Sequence, residues 1–217
     1  MVFFDDLETR SGDERAAELA DILPSQIARA KALGGYKTTL ADITARDITS
    51  ATALAQLPVL RKSVLSQAQG SESPLGGFTT RNVTGFGHIF QSPGPIYEPG
   101  GIEFDWWRIG RFLHACGIGS GDIVQNCFAY HLTPAGMIFE SGARAVGATV
   151  LPAGTGQTEL QVRAAVDIGT TAYAGTPDYL KVILDAADEM GETLSFTKAA
   201  VGGGALFPSL RQEYADR

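Results

Sequence analysis

The feature that most constrains the fold of this chain is a regular alternation of strand and helix patterns over residues 105–201. Short apolar runs predict strands at residues 123–128, 148–151, 170–174 and 196–201. The helical stretches between them carry start and stop signals: Pro134 and Pro177 each follow a threonine, and Gly147 and Gly191 end two of the helices. Strands that alternate with helices in this way predict βαβ units. The expected fold class is therefore α/β, with a parallel Rossmann-like sheet and right-handed crossovers.

A parallel sheet also predicts where a ligand would bind, because ligands of such folds lie beyond the carboxyl ends of the strands. The loops that follow the predicted strands are residues 129–133, 152–157, 175–176 and 202–205. Small or polar residues make up most of these loops, and such residues let the backbone approach a ligand closely. These four loops are the candidate binding region.

The chain is predicted to have three parts. Residues 1–75 are expected to be a helical segment, residues 76–104 a Gly/Pro-rich hairpin whose tip is Ser92–Pro95, and residues 105–217 the α/β part. The Pro-Gly pair at the tip predicts a type II turn.

Several helix boundaries are predicted from capping signals. Capping boxes are expected at Ser11–Glu14 and Thr158–Gln161. Pro24 is expected to end one helix and start another, and Asp105 is expected to cap the helix that directly follows it.

Composition excludes several classes of function. The net charge is −7 and the chain has no dense run of Lys or Arg, which argues against a nucleic-acid or anionic-membrane surface. The apolar runs are too short to span a membrane, and the acidic start lacks a signal-peptide pattern, so a cytoplasmic location is expected. The three histidines and two cysteines show no metal-ligand spacing, so no protein-built metal site is predicted.

Several segments occur in the order and spacing of a known family. These segments are residues 57–62, 121–126, 128–133, 147–154, 157–159 and 175–177. Together they resemble the phenylacetate–CoA ligases, which are adenylate-forming enzymes. The resemblance implies that a small-molecule carboxylic acid attacks the α-phosphate of ATP to give an acyl-adenylate, and that the thiol of CoA then displaces AMP. It also implies Mg²⁺, which accompanies the ATP.

The resemblance places the phosphate loop of the family at residues 91–99, where Ser92 and Gly94 are the candidate nucleotide-binding residues. This segment departs from the family pattern, because Pro93 and Pro95 have no N–H for a phosphate and Glu98 stands where the family has lysine. Two interpretations stay open: a divergent phosphate loop or a purely structural hairpin tip.

The remaining candidate residues follow the predicted strands. By resemblance, His131 is the candidate catalytic residue, which polarises the carboxylate or the phosphate. The candidate substrate-binding residues are Tyr130, Leu132, Gly175, Thr176 and Pro177. The candidate adenine-binding residues are Gly202, Gly203, Gly204 and Ala205, where the family usually has Glu-Pro at the last two positions. A structural role is the alternative for each of these residues. Phe128 and Tyr130 could flank a ring, which favours an aryl or arylacetic acid.

The resemblance further implies an acidic metal-binding residue, a ribose-binding aspartate and a small domain with a catalytic lysine, none of which matches these 217 residues. The chain is therefore expected to be the N-terminal half of such an enzyme, inactive alone, with an exposed sheet that favours self-association. A nucleotide- or acyl-binding module, or half of a split enzyme, is the alternative. A dinucleotide-binding fold would need G-x-G-x-x-G after the first strand, where the chain instead has residues 129–132, Ala-Tyr-His-Leu.

Overall fold

The computed structural model describes residues 2–217 and contains a four-stranded parallel sheet in the unit Glu103–Arg217. The strands are β3 (Ile123–Asn126), β4 (Thr149–Leu151), β5 (Ala172–Gly175) and β6 (Lys198–Val201), in the spatial order β4-β3-β5-β6. The helices of this unit are α4 (Gly110–Ala115), α5 (Ala135–Ala145), α6 (Thr158–Ile168), α7 (Pro177–Met190) and α8 (Pro208–Asp216). The predicted α/β class with a parallel sheet is confirmed.

Helices cover the two faces of this sheet. Leu113 of α4 and Ala143 of α5 pack with Val124 of β3 and with the alanines of β5 and β6. On the opposite face, Tyr173 of β5 packs with Leu180 of α7. Ala172 and Tyr173, which are neighbours in β5, therefore bury their side chains on opposite faces, as expected for a sheet between two helical layers.

Gly142 allows α5 to approach α4 closely. A Cβ at this position would lie 2.1 Å from Cγ2 of Ile109 and 3.1 Å from Cδ1 of Leu113. We expect Gly142→Ala to lower the free energy of unfolding by about 1–3 kcal/mol, because the added carbon overpacks the contact between the helices. The measurement is urea unfolding of Gly142→Ala, Ile109→Ala and the double variant.

The double variant tests the cause of this loss. Removing Cγ2 of Ile109 relieves the clash, so the double variant should lose about 1 kcal/mol less than the two single losses added together. Additive losses would contradict the close approach as the cause. An unchanged stability of Gly142→Ala would contradict it as well.

Three predicted helix starts in this unit are wrong. The N-cap of α5 is Pro134, so Thr133 does not cap this helix and the proline precedes its first residue. The N-cap of α4 is Ile109 and not Asp105, although the Asp105 carboxylate accepts hydrogen bonds from the N–H groups of Ile109 and Gly110. The helix nevertheless begins at Gly110, because Asp105 and Arg108 have φ values of 43° and 58°, which an α-helix does not allow.

The third wrong start is that of α6. Its N-cap is Gln157, with a φ of 50°, and no side chain caps the helix. The predicted capping box therefore does not form, because the Gln161 side chain points into the protein and bonds to a neighbouring loop.

The unit that ends at Ile102 holds one long helix, two short helices and a hairpin. The helices are α1 (Gly12–Lys31), α2 (Ala51–Leu54) and α3 (Lys62–Ala68). The capping box at the start of α1 is confirmed: Glu14 N–H donates to Ser11 Oγ at 3.2 Å, and Ser11 N–H donates to Glu14 Oε2 at 2.7 Å.

The predicted helix break at Pro24 is wrong, because α1 continues through it. Leu19, Leu23 and Ile27 form a stripe at intervals of four residues that spans the proline and packs around Ile48. Burial of this stripe explains why the helix is kept despite the lost backbone hydrogen bond.

The predicted hairpin is confirmed, with β1 (His88–Ser92) antiparallel to β2 (Ile96–Gly100) and Ser92 paired with Ile96. The predicted type II turn does not form. Gly94 has a φ of 156° and the Gly94–Pro95 peptide bond is cis. Glycine adopts this φ because it has no Cβ.

In residues 2–217, no helix is both long and apolar enough to cross a membrane.

Candidate active site

The strand order creates one edge of the sheet where a ligand site is expected. From β3 the chain passes to β4 on one side, and it later returns to β5 on the other side of β3. In open parallel sheets the crevice at such a reversal, outside the carboxyl ends of the strands, is where ligands bind. The predicted substrate residues 130–132 follow β3 and the predicted substrate residues 175–177 follow β5. Both sets therefore lie at this edge of the sheet.

The loop after β3 contains a tight turn that exposes two of the predicted residues. Thr133 N–H donates to the His131 carbonyl at 2.8 Å, which closes a three-residue turn around Leu132. Leu132 has a φ of 61°, a left-handed conformation that is rare for a bulky residue, and its side chain is 66% exposed. His131 is also exposed. The turn therefore presents an imidazole at the edge of the sheet.

The ring of Tyr130, in contrast, is turned toward α5. Its hydroxyl accepts a hydrogen bond from Asn126 Nδ2 at 2.7 Å. Burial raises the pKa of the Tyr130 phenol, and the neighbouring Glu140 carboxylate raises it further, so the phenol stays neutral. The hydroxyl of this predicted substrate-binding residue is therefore engaged inside the protein.

The loop after β5 is held by hydrogen bonds that each join a side chain to a backbone group. Thr176 Oγ1 accepts from Tyr179 N–H at 3.4 Å, which confirms the predicted cap of α7, with Pro177 as its first residue. The Thr176 carbonyl accepts from the Tyr173 hydroxyl at 3.0 Å. Gly175 is required beside this hydroxyl, because a Cβ would lie 2.2 Å from it.

The glycine run after β6 lies against this loop. Gly202 N–H donates to the Gly175 carbonyl at 3.1 Å. A Cβ on Gly203 would lie 3.7 Å from Thr176 Cγ2 and 3.8 Å from Phe128 Cε1, and a Cβ on Gly204 would lie 3.3 Å from Pro177 Cδ. The structure thus brings the glycine run, Thr176, Pro177 and Phe128 together. Ala205 follows on the exposed part of the loop.

Phe139 belongs to this group and was missed by the sequence analysis. Its ring stacks on that of Phe128, with centroids 4.1 Å apart and planes at 27°, and its Cζ would lie 3.8 Å from a Cβ on Gly202. Phe139 lies within the apolar pattern of α5, which predicts only burial. No signal in the sequence distinguishes it from the core residues of that helix.

The sequence predicts that Gln161 belongs to a capping box, but in the structure its side chain forms hydrogen bonds with the loop after β4. Its Nε2 donates to the carbonyls of Gly154 at 3.1 Å and Gly156 at 2.7 Å, and its Oε1 accepts from Gln125 Nε2 at 3.0 Å. Cys127 Sγ also donates to this oxygen at 3.3 Å. Burial raises the pKa of the Cys127 thiol to about 12, so it remains protonated and unreactive at neutral pH.

The two nucleotide-binding candidates of the hairpin lie in the other unit. Ser92 is buried at the end of β1, whereas Gly94 is exposed at the tip. Glu98, which the sequence placed toward the phosphates, lies 3.6 Å from Lys62 Nζ. Gln69 binds the neighbouring backbone, because its Nε2 donates to the Tyr97 carbonyl at 2.7 Å and its Oε1 accepts from Tyr97 N–H at 2.8 Å. Helix α3 is therefore attached to β2 at both of its ends.

Comparison with curated proteins confirms the predicted resemblance. A phenylacetate–coenzyme A ligase from Aromatoleum evansii is 32% identical over 102 residues, which are 46% of this chain and 23% of that protein. One from Thermus thermophilus is 30% identical over 108 residues, 48% of this chain and 24% of that protein. The chain thus matches about a quarter of the length of these relatives. A scan against protein-family models finds no match.

Comparison with solved structures shows the fold. A crystal structure of 2-hydroxyisobutyryl-CoA ligase with 2-HIB-AMP and CoA superposes with a TM-score of 0.86 at 19% sequence identity, and covers 96% of this chain and 48% of that one. The same enzyme with 2-HIB-AMP, in the postadenylation state, gives a TM-score of 0.85. This chain has the fold of the matched part of 2-hydroxyisobutyryl-CoA ligase, and it spans about half the length of that enzyme.

Proposed function

We propose that this chain forms the amino-terminal part of an enzyme that activates a carboxylic acid with ATP and transfers the acyl group to CoA. One observation carries the proposal: the carboxyl edge of the sheet gathers an exposed histidine turn after β3 and a glycine run packed on the loop after β5. This arrangement places a run of residues without side chains at the same edge of the sheet as an exposed polar group, which is what a flat nucleotide base next to the reacting atoms would require. The similarity to ligases of this chemistry agrees with the proposal.

Each candidate residue then has a role in the first half-reaction. Gly202, Gly203 and Gly204 let the backbone lie close to the adenine, since they carry no side chain. His131 donates a hydrogen bond to the carboxylate or to the α-phosphate and so stabilises the charge that develops between them. Thr176 and Leu132 line the space for the acid. By resemblance alone, Ser92 and Gly94 of the hairpin are assigned to phosphate binding.

The acid is proposed to be an aryl or arylacetic acid. Phe128 presents a ring next to Gly203 and Thr176, and that ring is fixed by its stacking on Phe139. A planar substrate ring would gain offset-stacked or edge contacts with such a pair. Tyr130 takes no part in this contact through its hydroxyl, which Asn126 binds.

Magnesium and CoA belong to the proposal with few residues assigned. Within residues 2–217, no group of three or more His, Cys, Asp or Glu side chains is placed to hold a metal ion. Mg²⁺ usually binds through substrate phosphates, waters and one or two carboxylates, and there it would supply charge neutralisation. We assign no residue of this chain to CoA. A cytoplasmic location, where ATP and CoA are available, is part of the same proposal.

A second candidate function is nucleotide or acyl binding without catalysis. The hairpin tip favours it, because Pro93 and Pro95 leave Gly94 as the one residue between them with an N–H for a phosphate oxygen. Glu98 adds no positive charge, although Lys62 lies beside it. The two functions differ in whether the α-phosphate is attacked.

ATP–pyrophosphate exchange by the protein expressed from its complete gene tests the proposal. We expect exchange that depends on an aryl or arylacetic acid, and a rate about 100-fold lower for His131→Gln, because general acid–base and hydrogen-bonding groups contribute at this level. His114→Gln, in the last turn of α4, is the matched control and should retain the wild-type rate. ATP binding without exchange for any acid in a broad panel would support the binding module instead.

A further inference from the structure

The turn after β3 has a strained backbone conformation, which contacts with neighbouring residues must stabilise. Leu132 is left-handed at φ 61°, and the hydrogen bond from Thr133 N–H to the His131 carbonyl closes a turn of only three residues. Such strained backbone persists where surrounding contacts determine it. The exposed side chains of His131 and Leu132 cannot supply these contacts, so they must come from the residues on either side of the turn.

Asn126, the last residue of β3, supplies most of these contacts. It is 1% exposed. Its Nδ2 donates to the Tyr130 hydroxyl at 2.7 Å and to the Gly136 carbonyl at 2.8 Å, so one amide group joins the start of the turn to the first turn of α5. Its Oδ1 accepts from Phe128 N–H at 3.3 Å, and its carbonyl accepts from Gly154 N–H in the loop after β4.

Gly136 closes the turn from the other side. Its N–H donates to the Ala129 carbonyl at 2.8 Å, and a Cβ would lie 2.7 Å from that oxygen and 2.8 Å from Cγ of Tyr130. The Tyr130 ring is therefore held between a glycine without a side chain and the Asn126 amide. The two ends of the turn are fixed while its middle is free to face a ligand.

We propose that Asn126 is a positioning residue, which fixes the turn of residues 129–133 and so aims the His131 imidazole across the carboxyl edge of the sheet. This inference rests on the proposed function, since it concerns the residue assigned to the first half-reaction. Both amide protons are needed: aspartate has the shape of asparagine but has no N–H to donate to Tyr130 or Gly136.

The test uses Asn126→Asp, Tyr130→Phe and Thr171→Val in the protein expressed from its complete gene. Thr171 is the control because its hydroxyl accepts from Ile123 N–H and donates to Asp122 at the opposite edge of the same sheet, away from the turn. Two measurements are made: the histidine ring signals in ¹H–¹³C spectra, with that of His131 assigned by loss in His131→Gln, and kcat and KM in pyrophosphate exchange.

We expect Asn126→Asp to shift or split the His131 ring signal and to lower kcat about 100-fold with little change in KM for ATP, as a misplacement of about 1 Å can do. Tyr130→Phe removes one of the two bonds and should lower kcat by about tenfold or less. Thr171→Val should change neither measurement, even where it lowers the melting temperature.

Two results would overturn the proposal. One is an unshifted His131 signal in both Asn126→Asp and Tyr130→Phe, which would show that the turn holds its shape without the amide. The other is a loss of kcat in Thr171→Val as large as that in Asn126→Asp, which would show that Asn126 acts only by stabilising the fold. Absence of exchange in the wild type would contradict the proposed function alone, because the ring signals still report on the turn.

Discussion

Asp122→Ala is expected to lower the free energy of unfolding by about 3 kcal/mol, which is typical when one partner of a buried ion pair is removed. Asp122 is 8% exposed, and Lys198 Nζ donates to its two carboxylate oxygens at 2.9 and 2.8 Å. Thr171 Oγ1 donates to the same carboxylate at 2.9 Å, and so does Gly119 N–H. This carboxylate joins the amino ends of β3, β5 and β6, so its loss leaves Lys198 partly buried without its charge partner.

The same carboxylate makes stability depend on pH. Burial alone would raise the pKa of Asp122, but the hydrogen bonds from Lys198, Gly119 and Thr171 hold it below the ordinary value. A carboxyl group whose pKa is lower in the folded state stabilises the protein above its unfolded pKa of about 4, and this contribution is lost as the pH falls through the folded pKa.

Urea unfolding at several pH values measures both effects. The wild type should lose more stability than Asp122→Ala between about pH 5 and pH 3. Asp167→Ala, an exposed carboxylate on α6, is the control and should change stability by less than about 0.5 kcal/mol. Parallel pH curves for the wild type and Asp122→Ala would contradict this role of the carboxylate.

Gly136→Ala is expected to lower the free energy of unfolding by about 3 kcal/mol, at the upper end of the usual range for overpacking. The added Cβ would lie 2.7 Å from the Ala129 carbonyl oxygen and 2.8 Å from Cγ of Tyr130. Neither atom is the end of a flexible side chain, so the clash is relieved only by moving the backbone of the turn. Pyrophosphate exchange should therefore fall as well, by about 100-fold if the turn shifts by about 1 Å.

Gly12→Ala is the matched control, because Gly12 also lies at the start of a helix and a Cβ there would meet nothing within 4 Å. It should leave stability within about 0.5 kcal/mol of the wild type. Thermal or urea unfolding of both variants separates a general effect of glycine replacement from the specific clash. Equal stabilities for the two variants would show that the turn adapts to a Cβ at residue 136.

Most elements of the fold could be predicted because their signals are local. The Thr176-Pro177 start of α7, the Ser11–Glu14 capping box and the apolar run of β3 each act within a few residues of the chain. The predictions that failed depended on distant contacts. Pro24 lies within a helix because Leu23 and Ile27 pack on Ile48. Gln161 does not cap α6 because its side chain forms hydrogen bonds with Gln125 and with the loop after β4.

The candidate site shows the same division. The sequence by itself determined the α/β class, the loops that follow the strands, and the resemblance to phenylacetate–CoA ligases. These follow from residue types and spacing, which act locally along the chain. Only the tertiary structure decided that Tyr130 bonds to Asn126, that Phe139 stacks on Phe128, and that the glycine run packs on Thr176 and Pro177. The physical reason is that packing and hydrogen-bond partners depend on which distant segments meet, and the parallel sheet brings together residues up to 76 positions apart in the sequence.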